Sequence, residues 1–374
     1  MGSATLYQLA RRGARALGID RFRPPHDRGS SHGETRITRQ AIGEGEDYVP
    51  FVQRSHEIWR ELEADTGEAL LFQVGGLLLG RTGSLAEHHG QADFIARTIA
   101  AARHRDIPHE ILDAHEVERR FPQLRLAGDE TGYYEPGAGF VRPERCVATQ
   151  LDRARALGAV TQTDETVTRI APGTSAVEVI TDRGRYVAGH VVVTAGAWLP
   201  ALLGGAFAGT LRVYRQVLCW FAPEEPSAFA PGAFPIFIWI HGAGPAGYFY
   251  GLPMVSTGVK LATEQFRETT APEDVKREVS PAEIESLYTA HVRGRIVGVG
   301  DRCVRTETCL YTVTPDSRFL IDRHPDSDRV IVASPCSGHG FKHSAAIGEA
   351  LAELVLSGKS RLDLAPFSRA RLSA

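Results

Sequence analysis

The sequence has no run approaching the roughly 20 apolar residues that a membrane span needs, and no short apolar stretch that would serve as a secretory signal. Leu6 stands where N-myristoylation requires Ser or Thr. The arginine-rich start has the character of a transit peptide, but the same residues read more simply as the first helix of the fold. These absences predict a cytoplasmic protein without a membrane partner. Basic excess is missing too: the net charge is −3, which offers nothing to nucleic acid. There is no C-x-x-C pair, and the cysteines are odd in number, Cys146, Cys219, Cys303, Cys309 and Cys336. That excludes a complete disulfide framework and predicts free thiols. No internal repeat or low-complexity tract is present.

What remains is an ordinary globular composition, 43% hydrophobic and 23% charged, over 374 residues. This length predicts two domains, or one large α/β domain with an insertion. In Met1 to Asp20, the residues Ala4, Leu6, Leu9 and Ala10 fall at helical spacing, Gly13 stops the helix, and Ala14 to Ile19 reads as a short buried strand. Asp20 then sits where a dinucleotide-binding βαβ unit carries the acid that takes the ribose hydroxyls. Gly2 fits the third glycine of G-x-G-x-x-G; the first strand and first two glycines are expected upstream of Met1.

Arg21 to Gly45 is a polar loop too long for a linker and a candidate site loop. A helix runs from Pro50 to before Gly67, and Leu70 to Leu79 reads as one strand with a central glycine pair. The His- and Ala-rich stretch Ser84 to Arg105 predicts a helix, and Asp113 with Glu116 starts a shorter one. After a strand from Tyr133 to Pro136, Pro143 opens a helix that stops at Gly158. Val167 to Ile170, Ala176 to Thr181 and Tyr186 to Val193 are strands. Leu211 to Thr263 alternates as an antiparallel sheet. Ser280 with Glu283 begins a helix; Val304 to Tyr311, Phe319 to Ile321 and Val330 to Ala333 are strands; the last helix spans Phe341 to Leu356. Thr194-Ala195-Gly196 and Ser337-Gly338-His339-Gly340 each close a buried strand in a small-residue turn. They are phosphate-cradling turns of a doubly wound sheet, or ordinary βα turns.

The segments SSHGETR (Ser30 to Arg36), TAGAW, YRQV, YYEP, ETCLYT (Glu307 to Thr312) and SGHGFK (Ser337 to Lys342), in this order, resemble the monomeric sarcosine oxidase and N-methyltryptophan oxidase family of FAD enzymes. The resemblance covers almost the whole chain. It implies a glutathione-reductase-like Rossmann domain for FAD (residues 1–70, 136–210 and 305–374) and an inserted antiparallel-sheet substrate domain (71–135 and 211–304). It also implies a monomer that oxidises a secondary amino acid, N-methyl or cyclic, to an imine with O2 reduced to H2O2. A glycine-oxidase or D-amino-acid-dehydrogenase relative, and a flavin-free inactive protein, are the competing readings.

By the same resemblance FAD is bound covalently through Cys309, a thiol that Arg305, on the same strand face, would activate. Gly2, Asp20, Ser30, His32, Thr35, Arg36, Ala195, Gly196, Trp198, Gly338, Gly340, Phe341 and Lys342 would contact the cofactor, with Arg36 over the flavin ring. Lys260 would be a fixed positive charge for oxygen activation, against the competing reading of a solvent-facing strand lysine. Tyr250 would line the substrate pocket, and Arg39 with Lys342 would clamp the substrate carboxylate. Arg36 and Arg39, three apart, would share a face if their loop were helical. The family carries His four residues after this lysine; here Glu264 stands instead, a carboxylate expected to repel an anionic substrate tail and favour a cationic one.

Overall fold

The computed structural model describes residues 1–81, 87–242 and 247–373. The chain opens with helix α1 (Gly2–Arg11), which buries Ala4, Leu6, Tyr7 and Ala10, and strand β1 (Leu17–Ile19). Strand β2 (Arg36–Thr38) follows the polar loop. Helix α2 (Val49–Thr66) has Pro50 in its first turn and Gly67 at φ 74° past its end, where a left-handed residue releases the chain from the helix. The predicted strand Leu70 to Leu79 is two strands, β3 (Leu71–Gln73) and β4 (Gly76–Gly80), which join different sheets. Gly75, at φ 79°, makes the break, and a Cβ there would lie 2.5 Å from the Tyr134 hydroxyl.

The helix predicted from Ser84 begins ten residues later. Residues 82–86 lie outside the described residues. The two-residue strands β5 (Glu87–His88) and β6 (Gln91–Ala92) form a hairpin, and helix α3 (Phe94–His104) starts after it. His89 and Gly90 both have positive φ, so a turn interrupts the helix-favouring composition. Then come β7 (Glu110–Asp113), α4 (Ala114–Arg120) capped by Asp113, β8 (Thr131–Glu135), β9 (Gly139–Val141), α5 (Pro143–Ala156) and β10 (Val160–Gln162). β11 (Val167–Pro172), β12 (Val177–Thr181) and β13 (Arg185–Ala188) form an antiparallel sheet. The expected strand Tyr186 to Val193 is therefore split, with β14 (Val191–Val193) passing to another sheet.

After the short helices α6 (Leu199–Leu203) and α7 (Gly205–Ala208) come β15 (Arg212–Pro223), β16 (Ile236–Ile240), β17 (Tyr248–Leu252) and β18 (Val259–Ala262). Helix α8 (Pro281–Leu287) carries the Ser280/Glu283 capping box. The chain ends with β19 (Val299–Val313), β20 (Leu320–His324), β21 (Ser327–Ser334) and α9 (Ser344–Ser357).

The architecture is mixed α/β. An eight-stranded sheet has the order β19-β15-β18-β17-β16-β4-β8-β7, antiparallel except between β16 and β4. β3 pairs with β9 instead, and β19 runs unbroken across residues 304 and 305. Side chains alternate along these strands. Leu218, Trp220, Ala262, Cys309 and Tyr311 cluster on one face; Cys219, Phe221, Phe237, Trp239, Phe249 and Leu261 pack on the other. β1 pairs in parallel with β10, and β14 in parallel with β21, which also pairs with β20. Helix α1 packs on α5 and α9, at so close an approach that a Cβ on Gly348 would lie 2.4 Å from that of Ala4. No helix among the described residues is long and apolar enough to cross a membrane.

Candidate active site

A cavity of about 1450 Å³ lies among the ends of β1, β14 and β21, the polar loop, and β17 and β18 of the large sheet. Pockets for single small ligands span roughly 300–1,000 Å³, so this one accommodates a dinucleotide and a substrate together. Its wall gathers nearly every predicted site residue: Gly2, Asp20, Ser30, Thr35 and Arg36 from the first part of the chain; Ala195, Gly196 and Trp198 after β14; Gly338, Gly340, Phe341 and Lys342 after β21; and Arg39, Tyr250, Lys260 and Glu264. His32 and Cys309 are not on the wall.

The chemistry of one end fits FAD. The first turn of α1 borders it, presenting the partial positive charge that a pyrophosphate seeks. Asp20 closes β1 at the position of a ribose-binding acid. Gly196 and Gly338 have φ 53° and 86°, and a Cβ on Gly340 would lie 1.8 Å from the Pro335 carbonyl oxygen, so both turns need glycine. The Ser334 hydroxyl, also on the wall, is buried with no hydrogen-bond partner among the described residues, as a group awaiting a ligand would be.

The loop SSHGETR is pinned from two sides. Gly33 and Glu34, at φ 91° and 71°, donate their N–H groups to the Glu144 carboxylate of α5 at 2.6 and 2.9 Å. The Lys260 ammonium donates to the carbonyls of Gly33 and Thr35 at 2.8 and 2.9 Å and lies 5.3 Å from the centre of the Trp220 ring. Arg36 donates to the carbonyls of Thr35 and Ser30, both at 2.8 Å. Arg36 opens β2 rather than a helix, so it does not share a helical face with Arg39. Burial, reinforced by the Arg36 charge, pushes Lys260 well below lysine's ordinary value.

Cys309 departs further from expectation. It is buried and off the cavity wall, and burial raises its thiol above the usual cysteine value although Arg36 and Lys260 pull the other way. Arg305 plays no such part: its guanidinium bonds Glu307 at 3.0 Å and lies 4.4 Å from the centre of the Trp220 ring. His32 is held by Glu307 at 3.0 Å.

At the other end the predicted carboxylate clamp already holds a carboxylate. Arg39 bonds Glu44 at 2.7 Å, and Lys342 donates to the His339 carbonyl at 2.8 Å with Glu44 3.8 Å away. Burial would raise the Glu44 carboxyl, but Arg39 and Lys342 outweigh it and hold the group well below its usual range. His89 bridges Glu44 at 3.3 Å and Glu264 at 3.1 Å. Burial opposes its charge, yet the two carboxylates lift the imidazole to about 9, so it is an imidazolium at neutral pH. Burial pulls Lys342 down to about 8, which leaves it charged at pH 7. His88, stacked on Tyr248 at 4.2 Å, and His339 are held neutral chiefly by burial.

Three cations thus face two carboxylates, leaving one positive charge. The Arg39 Nε is buried with no hydrogen-bond partner among the described residues, a deficit of about 1–3 kcal/mol that an incoming anion would recover. Glu264 is therefore not the free negative charge expected of it; His89 neutralises it. Two triads, Glu44–His89–His339 and His88–His89–Glu264, have ligand atoms within 4.8 Å of one another. Arg39, Lys342 and the His89 proton make the place better suited to an anion than to a dication. Glu44, Glu144, His88 and His89 were not singled out in the sequence; the His88-His89 pair was a visible signal that the helix assignment absorbed.

A family profile described as FAD dependent oxidoreductase matches residues 1–354. The monomeric sarcosine oxidase of Streptomyces avermitilis is 39% identical over 100% of this chain and 96% of its own length. The N-methyl-L-tryptophan oxidase of Salmonella arizonae is 31% identical, with 100% and 96% covered. The solved structure of NikD, an unusual amino acid oxidase essential for nikkomycin biosynthesis, superposes with a TM-score of 0.84 at 24% identity, covering 98% of this chain and 94% of that one, and so shares the fold.

Proposed function

The chain belongs to the FAD-dependent oxidoreductase family, and from that premise we propose that it oxidises a secondary amino acid, N-methyl or cyclic, to an imine that water hydrolyses. Bound FAD would supply the hydride acceptor for the carbon beside the amine nitrogen, with O2 as the final oxidant giving H2O2. The observation that carries the substrate class is the buried cluster of Arg39, Lys342 and His89 with one positive charge in excess and an unpartnered Arg39 N–H. It suits one carboxylate, received as a planar acceptor by Arg39 and as a point charge by Lys342. With Glu264 neutralised, a cationic side chain has no partner; Tyr248, Tyr250 and Tyr311 instead offer an apolar and aromatic wall to the rest of the substrate.

At the cofactor end, Asp20, the α1 N-terminus and the turns at Gly196 and Gly340 would hold the dinucleotide. Arg36 and Lys260 would set the positive field beside its reactive ring, and Cys309 would be its covalent attachment point. In this reading the strands β16 to β19 carry the substrate wall, the parallel pairs carry FAD, and the chain acts as a monomer.

The test is peroxide release from N-methyl amino acids, from the matching N-methylamines without a carboxylate, and from D-amino acids. Turnover is expected only with the first group, and Arg39→Met should raise KM at least tenfold with the flavin spectrum unchanged. Equal turnover of the carboxylate-free amines, or preference for D-amino acids, would overturn the reading.

A further inference from the structure

Cys219 and Cys303 sit together on the face of the large sheet opposite the site. Trp220 pairs with Arg305 and Phe221 with Cys303, so the ladder between β15 and β19 skips Val304. That bulge turns Cys303 onto the face of Cys219, where the two pack in one cluster, and the Cys303 thiol donates to the Arg305 carbonyl at 3.2 Å. Cys219 is fully buried against Phe221, Val259 and Leu261. Cys303 is only partly buried, and its strand is the edge of the sheet. Neither residue lines the cavity. An accessible thiol on an edge backed by a buried one is the arrangement of an attacking and a resolving cysteine.

We propose that Cys219 and Cys303 form a peroxide-oxidised dithiol that closes to a reversible disulfide. The Cys303 thiolate attacks one oxygen of H2O2, forming an S–O bond and breaking the O–O bond, with hydroxide leaving. The Cys219 sulfur then attacks the resulting sulfenic acid; an S–S bond forms, the S–O bond breaks, and the hydroxyl leaves with the Cys219 proton as water. The two thiols are oxidised by two electrons and the peroxide is reduced by two. The Cys219 thiol beside it favours the required thiolate and brings the Cys303 thiol down to about 7. As a source of oxidant within the cell the inference rests on the proposed oxidase reaction; its chemistry does not.

The experiment treats the purified holoenzyme with H2O2 in the absence of amine, then counts free thiols, measures intact mass and maps peptides. Loss of two thiols and two hydrogen masses is expected, with a Cys219–Cys303 cross-link reversed by dithiothreitol. Cys303→Ser should abolish the cross-link, whereas Cys219→Ser should leave Cys303 to gain oxygen instead. Both thiols remaining free, or Cys303 over-oxidising in the wild type without a cross-link, would overturn the proposal. A parallel arm supplies an N-methyl amino acid and air, with and without catalase. A cross-link with added peroxide but none with substrate would uphold the dithiol and count against the peroxide-forming reaction.

Discussion

At the scale of single residues, His89 decides the electrostatics of the substrate end, and it does so as a charged group whose titration is measurable. Its folded value of about 9 lies above histidine's ordinary 6.5. The stability it contributes is therefore fully present below pH 6.5 and is lost as pH rises through 9. Lys342, lowered to about 8, and Cys303, lowered to about 7, act with the opposite sign over their own ranges. The informative quantity is thus the difference between wild type and His89→Gln. The wild type's advantage in urea unfolding should shrink between pH 6.5 and 9, by at most about 1.4 kcal/mol per pH unit; a pH-independent difference would refute the imidazolium. Lys260, Lys342 and Glu264 could be picked out in the sequence because each matches a position of the resembled family. The ionisation of Glu264's surroundings was not legible, because its neutralising partner arrives from a hairpin about 175 residues earlier.

At the scale of elements, local chemistry was readable and sheet membership was not. Pro50 and Gly67 bound α2, and Ser280 with Glu283 start α8, because caps and left-handed residues act within one turn of chain. The break between β3 and β4, and the split of β14 from β13, depend on partners elsewhere in the fold. The contact of α1 with α9 is of this second kind. It needs Gly348 opposite Ala4, and Gly348→Val would push a side chain against the backbone of α1. Overpacking of this kind costs about 1–3 kcal/mol. A Tm lower by several degrees is expected, together with weaker flavin retention, because the first turn of α1 borders the cavity. Calorimetry and the visible flavin spectrum check both; an unchanged Tm would mean that the two helices separate at no cost.

At the scale of the whole molecule, a cavity of about 1450 Å³ makes the cofactor part of the interior. A ligand bound only by the native state adds roughly 4 kcal/mol at a thousandfold excess over its Kd. Covalent attachment through Cys309 would make that gain independent of free FAD. In Cys309→Ala the Tm should rise with added FAD, and acid precipitation should release the colour into the supernatant; flavin retained in the variant's pellet would refute the attachment.

The parallel rung between β4 and β16 bears on how such a molecule is made. It joins residues 76–80 to 236–240, and the strands between them in sequence serve other sheets except for β7, β8 and β15. During synthesis β4, β8 and β7 emerge as a three-stranded fragment with an open edge at β4. That edge waits for more than a hundred further residues before its partner exists. Long-range pairing of this kind slows folding and leaves the edge available to other chains. Yield in a host should therefore depend more on chaperone supply and on the pace of translation than on the stability of the finished protein.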